Sequence, residues 1–316
     1  MKKKGILILS YISPEVIKKL KKNFNIYLKP PSNRVNLENI EILILDIRVL
    51  SEIFLNKLIN LKLIARFGVG YDNINLDFIK KRKIKLALTR NAVIKPVAEH
   101  TLTLIFNILR KVNKYNFLVK KNNYSQTNLF PKTYDISKKN ILLIGYGAIG
   151  SQVAKFLRPY DCNIFFYDPF LKKIKTNKIT RISLNKGLRI GDIISLHMPL
   201  NKFTHKFVDN KFLSMIKNDA ILINTSRGRL VDEKSLVKKL KKNKEFFAGL
   251  DVFYNEPIKK NHPLIRLENT ILTPHVSTST IDTRYNMSME VLQNITNYLN
   301  KRFKNKNFLK LNNEKS

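Results

Sequence analysis

The sequence is poor in cysteine, in long apolar runs and in acidic side chains. Cys162 is the only cysteine of 316 residues, which excludes an intramolecular disulfide framework and a multi-thiolate metal site. No apolar run approaches the roughly 18 residues of a membrane-spanning helix. The basic start, Met1 to Lys4, precedes an apolar run too short for a signal peptide, and Ser13-Pro14-Glu15 stands where a cleavage site would lie. We therefore expect a soluble, cytoplasmic protein.

Acidic side chains are strongly outnumbered: 23 Asp and Glu stand against 59 Lys and Arg, a formal net charge of +36 at pH 7. A basic surface attracts phosphate polyanions, so nucleic-acid binding is one interpretation. The lysines are scattered along the whole chain, however, and neither a basic helix with interleaved aromatics nor zinc-finger spacing occurs. We favour solvated lysines, no specific nucleic-acid partner, and a field that promotes encounter with small anionic ligands.

Short apolar runs alternate with amphipathic helical segments through the first part of the chain. Strand candidates are Ile6–Leu9, Ile26–Leu28, Ile42–Leu45, Leu63–Ala65 and Ile84–Leu88. Helix starts are predicted after Ser13, Ser51 and Asn75, whose side chains can accept from the first free N–H groups of a helix. Continuous apolar strands alternating with helices predict a parallel sheet covered on both faces.

The pattern changes after Pro96. A long, mostly apolar helix is predicted over Val97–Lys111, and a polar stretch rich in Lys and Asn follows at 112–139. A second series of strands and helices runs from Asn140 to about His275, and a last helix covers Ile281–Leu299. The length suits two domains, and we predict two doubly wound α/β domains, the first interrupted by the second.

The strongest local signal is a glycine-rich run at the start of the second series. Asn140–Ile144 is an apolar strand, Gly145-Tyr146-Gly147-Ala148-Ile149-Gly150 follows, and a helical pattern comes next. Such glycines permit a tight turn, close approach of backbone to a pyrophosphate, and tight helix–strand packing. Asp168, 18 positions beyond Gly150, can bond a ribose 2′-hydroxyl and repels a 2′-phosphate. These residues predict a dinucleotide site that takes NAD rather than NADP.

Three later segments resemble the signatures of one enzyme family. They are Ile223–Glu233 (INTSRGRLVDE), Gly249–Pro257 (GLDVFYNEP) and Leu272–His275 (LTPH). In this order they are similar to the Asn-Thr-small-Arg-Gly-x-Leu-Val-Asp-Glu, Asp-Val-Phe-x-x-Glu-Pro and Thr-Pro-His motifs of the D-isomer-specific 2-hydroxyacid dehydrogenases. With the glycine run, Ser195–Leu200 and Gly68–Asn73, the resemblance covers nearly the whole chain.

The resemblance implies a Rossmann dinucleotide-binding domain (97–280) inserted into a flavodoxin-like substrate-binding domain (1–96 and 281–316), in a homodimer. It implies NAD-dependent hydride transfer between nicotinamide and a small 2-hydroxy or 2-oxo acid. Arg227, Glu256 and His275 match the catalytic triad, while the Val69 and Gly70 backbone would hold the substrate carboxylate, with Arg227 and His275 beside the substrate. Further cofactor contacts would come from His197, Pro199, Thr225, Ser226 and Asp251.

The triad is also intelligible from its residue types. Reduction of a ketone places negative charge on its oxygen, so a proton donor such as His275 must stand beside it. A neighbouring carboxylate, Glu256, would favour the protonated ring and orient it. Arg227 offers a planar fork of donors that can grip a carboxylate and polarise the adjacent carbonyl. All three lie at or after predicted strand ends, where open α/β sheets bind ligands.

The other four histidines are given structural or surface roles. His100 follows Glu99 on the apolar helix, His197 ends a strand in the cofactor domain, and His205 and His262 lie in polar stretches. No pair of histidines has metal-ligand spacing with support from a carboxylate or cysteine, so we predict no metal site.

The sequence leaves the substrate open. We expect 3-phosphoglycerate first, glyoxylate or hydroxypyruvate next, and then a D-lactate-like acid. Arg48, Arg90 and Lys95 could serve a substrate phosphate, or they could simply be solvated. Another class also stays open, because dinucleotide-sensing corepressors share this fold and can retain the triad; turnover of 2-oxo acids separates the two classes.

Overall fold

A computed structural model describes residues 3–32, 34–123, 133–171 and 179–311. The chain forms two compact units: unit 1 comprises Met1–Val93 with Thr278–Ser316, and unit 2 comprises Ile94–Ser277. Each unit is built on one parallel sheet, so the predicted α/β class with parallel sheets is confirmed. Within the described ranges, no helix combines the length and apolar character needed to cross a membrane.

Unit 1 begins with five strands and four helices. The strands are β1 (Lys4–Leu9), β2 (Phe24–Tyr27), β3 (Ile40–Leu45), β4 (Leu63–Arg66) and β5 (Lys85–Leu88). The helices are α1 (Pro14–Lys21), α2 (Arg34–Glu38), α3 (Glu52–Lys57) and α4 (Leu76–Lys81). The strands lie in the order β2-β1-β3-β4-β5, with β1 and β3 paired from Gly5 to Leu9. Helices cover both faces of the sheet, so apolar side chains are buried on both faces of its strands.

The predicted helix starts in unit 1 are confirmed. Ser13 accepts the N–H of Val16 at the start of α1, and Ser51 and Asn75 do the same for the third residue of α3 and α4. These caps satisfy backbone donors that have no partner inside a helix. They fix where each helix leaves the sheet edge.

Unit 2 opens with helix α5 (Ile94–Arg110), which starts three residues before the predicted Val97. Pro96 falls in its first turn, where a missing N–H costs no hydrogen bond. The Lys/Asn-rich stretch then contains helix α6 (Val112–Lys120), which its composition did not indicate. None of the residues of α6 is buried. Its sequence therefore lacks the apolar face toward the core of this unit that would have predicted a helix.

The remaining elements of unit 2 form the second sheet and its cover. The strands are β6 (Asn140–Ile144), β7 (Asn163–Tyr167), β8 (Ile179–Arg181), β9 (Ile193–Leu196), β10 (Ile221–Asn224), β11 (Phe247–Leu250) and β12 (Thr270–Leu272). The helices are α7 (Ala148–Leu157), α8 (Leu184–Ile190), α9 (Asn210–Met215) and α10 (Glu233–Lys242). The order is β12-β11-β10-β9-β6-β7-β8, so the direction of chain progression reverses between β6 and β9. Ligands of open α/β sheets bind at the carboxyl ends of the strands beside such a reversal.

The chain returns to unit 1 in helix α11, which spans Ile281–Leu299 as the sequence predicted. Its inner face packs Val291 and Ile295 against the sheet. Asn294 donates from Nδ2 to the Leu88 carbonyl at 3.0 Å, at the carboxyl end of β5. After α11, Phe308 forms an antiparallel bridge with Ala87, so the last described residues are tied to the edge of the sheet.

Candidate active site

The glycine run forms the turn between β6 and α7. Gly145 has a φ of 92°, which L side chains rarely adopt, and a Cβ there would stand 2.6 Å from the His197 carbonyl oxygen. Gly150 is buried, and its Cα lies against the Gly145 carbonyl. Gly147 differs because a Cβ there would meet nothing within 4 Å. The outer glycines are therefore required by packing, and the middle one leaves open space at the start of α7.

The N-terminus of α7 presents the predicted phosphate contacts. Gly147 is its N-cap and Ala148 its first residue, and both are exposed, whereas Ile149 is half-buried. The first N–H groups of a helix have no internal acceptor and carry a partial positive charge. An anion can therefore approach the backbone here at close range.

Asp168 follows β7 and lies beside the glycine turn. Its Oδ2 accepts the Tyr146 N–H at 2.9 Å and its Oδ1 accepts the Phe170 N–H at 3.0 Å. The Arg181 guanidinium donates to the Asp168 backbone carbonyl at 3.3 Å. The carboxylate thus anchors both the turn that precedes α7 and the loop after β7, and it remains half-buried at the carboxyl edge of the sheet.

His197 follows β9, directly beneath the glycine turn. Both ring nitrogens are buried and have no hydrogen-bond partner among the described residues. Burial of the ring lowers its pKa from 6.5 to about 3, because the charged form cannot be solvated there. His197 is therefore a neutral packing residue. Pro199, two positions on, is exposed, and its carbonyl accepts from the Thr204 hydroxyl at 2.7 Å.

Asn224, the last residue of β10, shapes the turn that carries Arg227. Its Oδ1 accepts the Ser226 N–H at 3.0 Å and its Nδ2 donates to the Arg227 carbonyl at 2.8 Å. The Ser226 hydroxyl is bonded to the end of β9, and the buried Thr225 hydroxyl lies 2.9 Å from that of Thr101. Asn224 was not among the predicted site residues, although its place at a strand end beside an arginine is a usable signal.

His275 and Glu256 form the central contact of the site. His275 Nδ1 lies 2.7 Å from Glu256 Oε2, and the two side chains are 24% and 26% exposed. The other oxygen, Oε1, accepts the Phe253 N–H at 3.0 Å. The His275 backbone has a φ of 53°, and its N–H donates to the Asp251 carbonyl at 2.8 Å. The imidazole is thus held both by its own backbone and by the carboxylate.

The ionisation of Glu256 is set by opposing effects. Burial raises the pKa of this carboxyl, but the hydrogen bond and charge of His275, the Phe253 N–H and the Arg227 charge outweigh it. Its pKa therefore lies below the ordinary glutamate value, and the group is a carboxylate at neutral pH. Arg227, Glu256 and His275 follow three neighbouring strands of one sheet, at the same edge, and act on one another electrostatically.

Asp251 lies buried at the end of β11, behind His275. It accepts from the Thr273 hydroxyl at 2.6 Å and from the N–H groups of Val276 and Ser277 at 2.9 and 3.0 Å. Burial raises the pKa of Asp251. The hydrogen bonds from His100, Thr273 and the backbone lower it by more than burial raises it, so the net shift of the pKa is downward.

His100 is a hydrogen-bonded structural residue, in agreement with the role expected from the sequence. Its Nε2 lies 2.9 Å from the Thr273 hydroxyl and 3.4 Å from Asp251 Oδ1. A histidine on an apolar helix gives no hint of which strand end it faces, because that depends on how α5 packs. The structure places it against the carboxylate that also fixes the His275 segment.

The predicted substrate residues of unit 1 follow three different strands, namely β3, β4 and β5. Val69 and Gly70 follow β4, and their backbone N–H groups donate to no described residue. The Arg48 guanidinium lies 3.4 Å from Asp46, which offsets its charge. Arg90 has a buried Nε without a partner in the described ranges, while its backbone N–H donates to Glu290. In unit 2, Lys95 is exposed in the first turn of α5.

Comparison with known proteins identifies the family to which these motifs belong. Residues 102–277 match the family described as D-isomer specific 2-hydroxyacid dehydrogenase, NAD binding domain. The chain belongs to this family. A glyoxylate reductase of Korarchaeum cryptofilum is 30% identical over 306 residues, which are 93% of this chain and 92% of that protein.

Two further relatives of this dehydrogenase illustrate the range of the family. A D-3-phosphoglycerate dehydrogenase of Archaeoglobus fulgidus is 30% identical over 240 residues, which are 75% of this chain and 45% of that protein. A D-lactate dehydrogenase structure from Aquifex aeolicus, complexed with NAD and lactic acid, is 26% identical, with a TM-score of 0.83 over 96% of this chain and 98% of that one.

The predicted class and cofactor of this dehydrogenase are confirmed: it is an oxidoreductase that acts on a CH–OH group with a nicotinamide dinucleotide. Its own residues fit that cofactor. The open space at Gly147 and the exposed start of α7 suit a pyrophosphate, and the Asp168 carboxylate stands at the next strand end, where a ribose would lie.

Proposed function

We propose that this dehydrogenase reduces glyoxylate or hydroxypyruvate, and oxidises the matching 2-hydroxy acid in the reverse direction. The observation that carries the proposal is the 2.7 Å contact between His275 and Glu256, beside the Arg227 charge. A proton donor, its carboxylate partner and a carboxylate-binding cation are the groups that reduction of a 2-oxo acid requires.

His275 is the proposed proton donor for reduction and proton acceptor for oxidation. NADH, when bound, supplies the hydride to the carbonyl carbon. The carbonyl oxygen gains negative charge, and the imidazolium of His275 transfers its proton to that oxygen. Because Glu256 holds Nδ1, Nε2 is the ring atom left to exchange a proton with substrate. The Glu256 carboxylate stabilises the protonated ring and keeps its orientation.

Arg227 is proposed to bind the substrate carboxylate and to polarise the adjacent carbonyl. Its carbonyl is fixed by Asn224 and its Nη1 donates to the Ser226 carbonyl at 2.7 Å. A guanidinium can make two parallel bonds to a carboxylate, which a lysine cannot. The Val69 and Gly70 N–H groups are proposed as the second carboxylate contact, since they donate to no described residue.

The cofactor contacts are proposed to run along the carboxyl edge of the second sheet. Gly147, Ala148 and Ile149 would face the pyrophosphate, with Gly145 and Gly150 shaping the turn, and Asp168 would bond the ribose and select NAD. Further contacts would come from residues that follow the neighbouring strands toward the triad, namely Pro199, Thr225, Ser226 and Asp251, and His197 would support the turn from beneath.

We also propose that the protein is cytoplasmic, because a chain with a single cysteine has no intramolecular disulfide to form in an oxidising compartment.

An unphosphorylated substrate is preferred over 3-phosphoglycerate for two reasons. The glyoxylate reductase of Korarchaeum cryptofilum matches 93% of this chain, whereas the phosphoglycerate dehydrogenase of Archaeoglobus fulgidus matches 75% of it. In addition, the Asp46 carboxylate lies 3.4 Å from Arg48, so this arginine offers a reduced charge to a phosphate. The phosphorylated acid stays as the competing prediction.

The test is a substrate panel with purified protein and NADH. Hydroxypyruvate and its 3-phosphate form a matched pair that differs only in the phosphate, and glyoxylate and pyruvate test smaller and methyl-bearing acids. We expect turnover of the 2-oxo acids, with a higher kcat/KM for hydroxypyruvate than for its phosphate. A higher kcat/KM for the phosphate would favour 3-phosphoglycerate instead. Absence of turnover with every acid would contradict the proposal.

We also propose that the protein is a homodimer joined through unit 2. Apolar side chains of α6 are left exposed: Val112 (55%), Phe117 (60%) and Val119 (55%). Next to α6, an open groove lies between α5 and α7, with Glu99 and Arg110 among its lining residues. In a two-fold interface each patch faces its own copy, so these opposite charges can pair across the axis.

The oligomeric state is measured by light scattering on a gel-filtration column. The wild type should have twice the mass of the 36.9 kDa chain. Phe117→Asp should shift it toward the chain mass, while Phe203→Asp, at an exposed phenylalanine outside this face, should not. A monomeric wild type would contradict the dimer and leave the enzymatic proposal intact.

A further inference from the structure

Arg66 is an arginine in the core of unit 1. It ends β4, after the apolar residues Leu63, Ile64 and Ala65, and it is only 2% exposed. A guanidinium stays charged at all accessible pH values, and its burial costs free energy unless hydrogen bonds compensate it. An apolar side chain would cost less at this point of a buried strand. The arginine therefore has to be explained by what it contacts.

The guanidinium of Arg66 holds three backbone carbonyls. Nε donates to the Gly70 carbonyl at 2.8 Å, and Nη1 donates to those of Leu45 and Phe67, each at 3.2 Å. Leu45 ends β3, so one contact ties the guanidinium to the neighbouring strand. The other two lie at either end of the segment Phe67–Tyr71, which we call the carboxylate loop.

The middle of the carboxylate loop is held from another direction by Thr89. The Gly68 N–H donates to the Thr89 hydroxyl at 2.7 Å, and the Gly68 carbonyl accepts the Thr89 N–H at 3.0 Å. Gly68 has a φ of 141°, a conformation that L side chains rarely adopt, and its Cα faces the Arg66 guanidinium. Two anchors therefore fix successive peptides of the loop.

Anchoring the carbonyls also sets the direction of the N–H groups. The carbonyl and the N–H of one trans peptide point in opposite directions. Since the Gly68 carbonyl faces Thr89, the Val69 N–H points away from Thr89. The Gly70 carbonyl faces Arg66, so the Tyr71 N–H, which belongs to the same peptide, points away from the guanidinium. The Val69–Gly70 peptide, which carries the Gly70 N–H, lies between these two fixed peptides. Among the described residues neither the Val69 nor the Gly70 N–H has an acceptor.

We propose that Arg66 is the positioning residue of the carboxylate loop: by holding the Phe67 and Gly70 carbonyls it restricts the two peptides between them, which carry the Val69 and Gly70 N–H groups, and so presents these groups to the substrate carboxylate. This inference rests on the proposed function, in which those N–H groups bind the substrate. Donors fixed before substrate arrives lose no entropy on binding. The buried positive charge behind the loop also favours an anion in front of it.

The test compares two variants at Arg66. Arg66→Met has a similar length and no donors, so all three carbonyl contacts are lost; Arg66→Lys keeps the charge but not the planar fork. In Arg66→Met we expect KM for the 2-oxo acid to rise about tenfold, which corresponds to about 1.4 kcal/mol of lost binding. The KM of Arg66→Lys should lie between those of the wild type and Arg66→Met, and the Kd for NADH should stay within about twofold of the wild type in both variants.

Arg82 supplies the matched control. It also donates to three backbone carbonyls in unit 1, those of Leu55 and Leu58 at 2.8 Å and Ile59 at 2.9 Å, but these lie in α3 and just after it rather than in the loop. Arg82→Met should lower Tm and leave KM unchanged. This comparison separates a general loss of stability from a loss of substrate positioning.

Val69→Pro distinguishes failure of the positioning role from failure of the proposed carboxylate contact, because it deletes the Val69 N–H directly. If Val69→Pro raises KM and a folded Arg66→Met does not, the positioning role of Arg66 is overturned. If neither variant changes KM while the wild type turns over 2-oxo acids, the loop is not the carboxylate site. An inactive wild type contradicts the proposed function itself. Should Arg66→Met fail to fold, an unchanged KM in Arg66→Lys overturns the inference equally.

Discussion

The imidazole of His275 and the carboxylate of Glu256 meet at 2.7 Å, while the second oxygen of the same carboxylate accepts the Phe253 N–H at 3.0 Å. Glu256 therefore cannot rotate away from the ring without losing a backbone contact. This two-point attachment fixes Nδ1 of His275 against the carboxylate and leaves Nε2 for the substrate in the proposed function. The pairing has consequences for the pH dependence of both activity and stability.

Glu256→Gln should narrow the pH range of reduction. Glutamine keeps the size and an acceptor oxygen but removes the charge that stabilises the protonated imidazole. We expect the alkaline limit of oxo-acid reduction to move to lower pH, and His275→Ala to reduce the rate at all pH values by about 100-fold or more. The measurement is a pair of pH–rate profiles, and coincident alkaline limits would show that Glu256 is not coupled to the proton donor.

The same carboxylate should contribute to stability in a pH-dependent way. The pKa of Glu256 in the folded protein lies below its ordinary value of 4.5, so its contribution is present above that value and is lost as pH falls through the folded pKa. The unfolding free energies of wild type and Glu256→Gln should therefore differ most near pH 7 and converge as the pH falls below 4.5 and through the folded pKa. Denaturant titrations at several pH values measure the difference, and a gap that widens in acid would contradict the sign.

Arg227→Lys should lower kcat/KM for the substrate and leave cofactor binding unchanged. Lysine keeps the charge but not the two parallel donors, and we expect kcat/KM to fall about 100-fold, which is about 2.7 kcal/mol of transition-state stabilisation. NADH binding, followed by fluorescence, should be unchanged. Arg229→Lys is the matched control, because Arg229 is exposed and contacts the Tyr254 carbonyl. Equal losses in both variants would remove the special role of Arg227.

Asp168→Asn should shift the cofactor preference toward NADP. The amide oxygen can still accept the Tyr146 N–H, so the glycine turn is preserved while the negative charge is lost. We expect the ratio of kcat/KM for NADPH to that for NADH to rise about tenfold, because repulsion of the 2′-phosphate disappears. A wild type that already prefers NADPH would show that Asp168 does not select the cofactor.

Two glycines of the turn should respond differently to alanine. In Gly150→Ala the new methyl would press on the Gly145 carbonyl oxygen, so we expect a lower Tm and weaker NADH binding. In Gly147→Ala the methyl meets nothing within 4 Å, so Tm should be unchanged and only NADH binding should weaken. Thermal melts and NADH titrations of both variants test this, and equal Tm losses would contradict the distinction.

His197 should remain neutral far below the usual range of histidine. Burial lowers its pKa from 6.5 to about 3, so its ring signal in NMR should not titrate between pH 8 and pH 5. The unfolded chain takes up a proton below 6.5 and the folded one does not, so this residue makes unfolding more favourable as pH falls toward 3. His197→Leu should remove that part of the acid sensitivity, whereas a midpoint near 6.5 would show that the ring is solvated.

Much of the fold was accessible from the sequence because its signals are local. A run such as Ile42–Leu45 reads as a strand covered on both faces, Ser13 and Asn75 mark helix starts by their own hydrogen-bonding capacity, and Ile281–Leu299 carries a helical pattern without a break. Helix α6 was not indicated, since its apolar side chains are exposed and its composition is polar overall.

The same distinction between local and tertiary information applies to the candidate site. The sequence by itself determined the residue types for the chemistry, in the motifs around Gly145, Arg227, Glu256 and His275, because short motifs encode a turn, a donor or a proton carrier locally. Only the tertiary structure decided which side chains meet. The parallel sheet brings strand ends distant in sequence to one edge, and so places His100 against Asp251 and the Arg66 guanidinium under Gly68. Such contacts depend on strand order and helix packing, which no local pattern records.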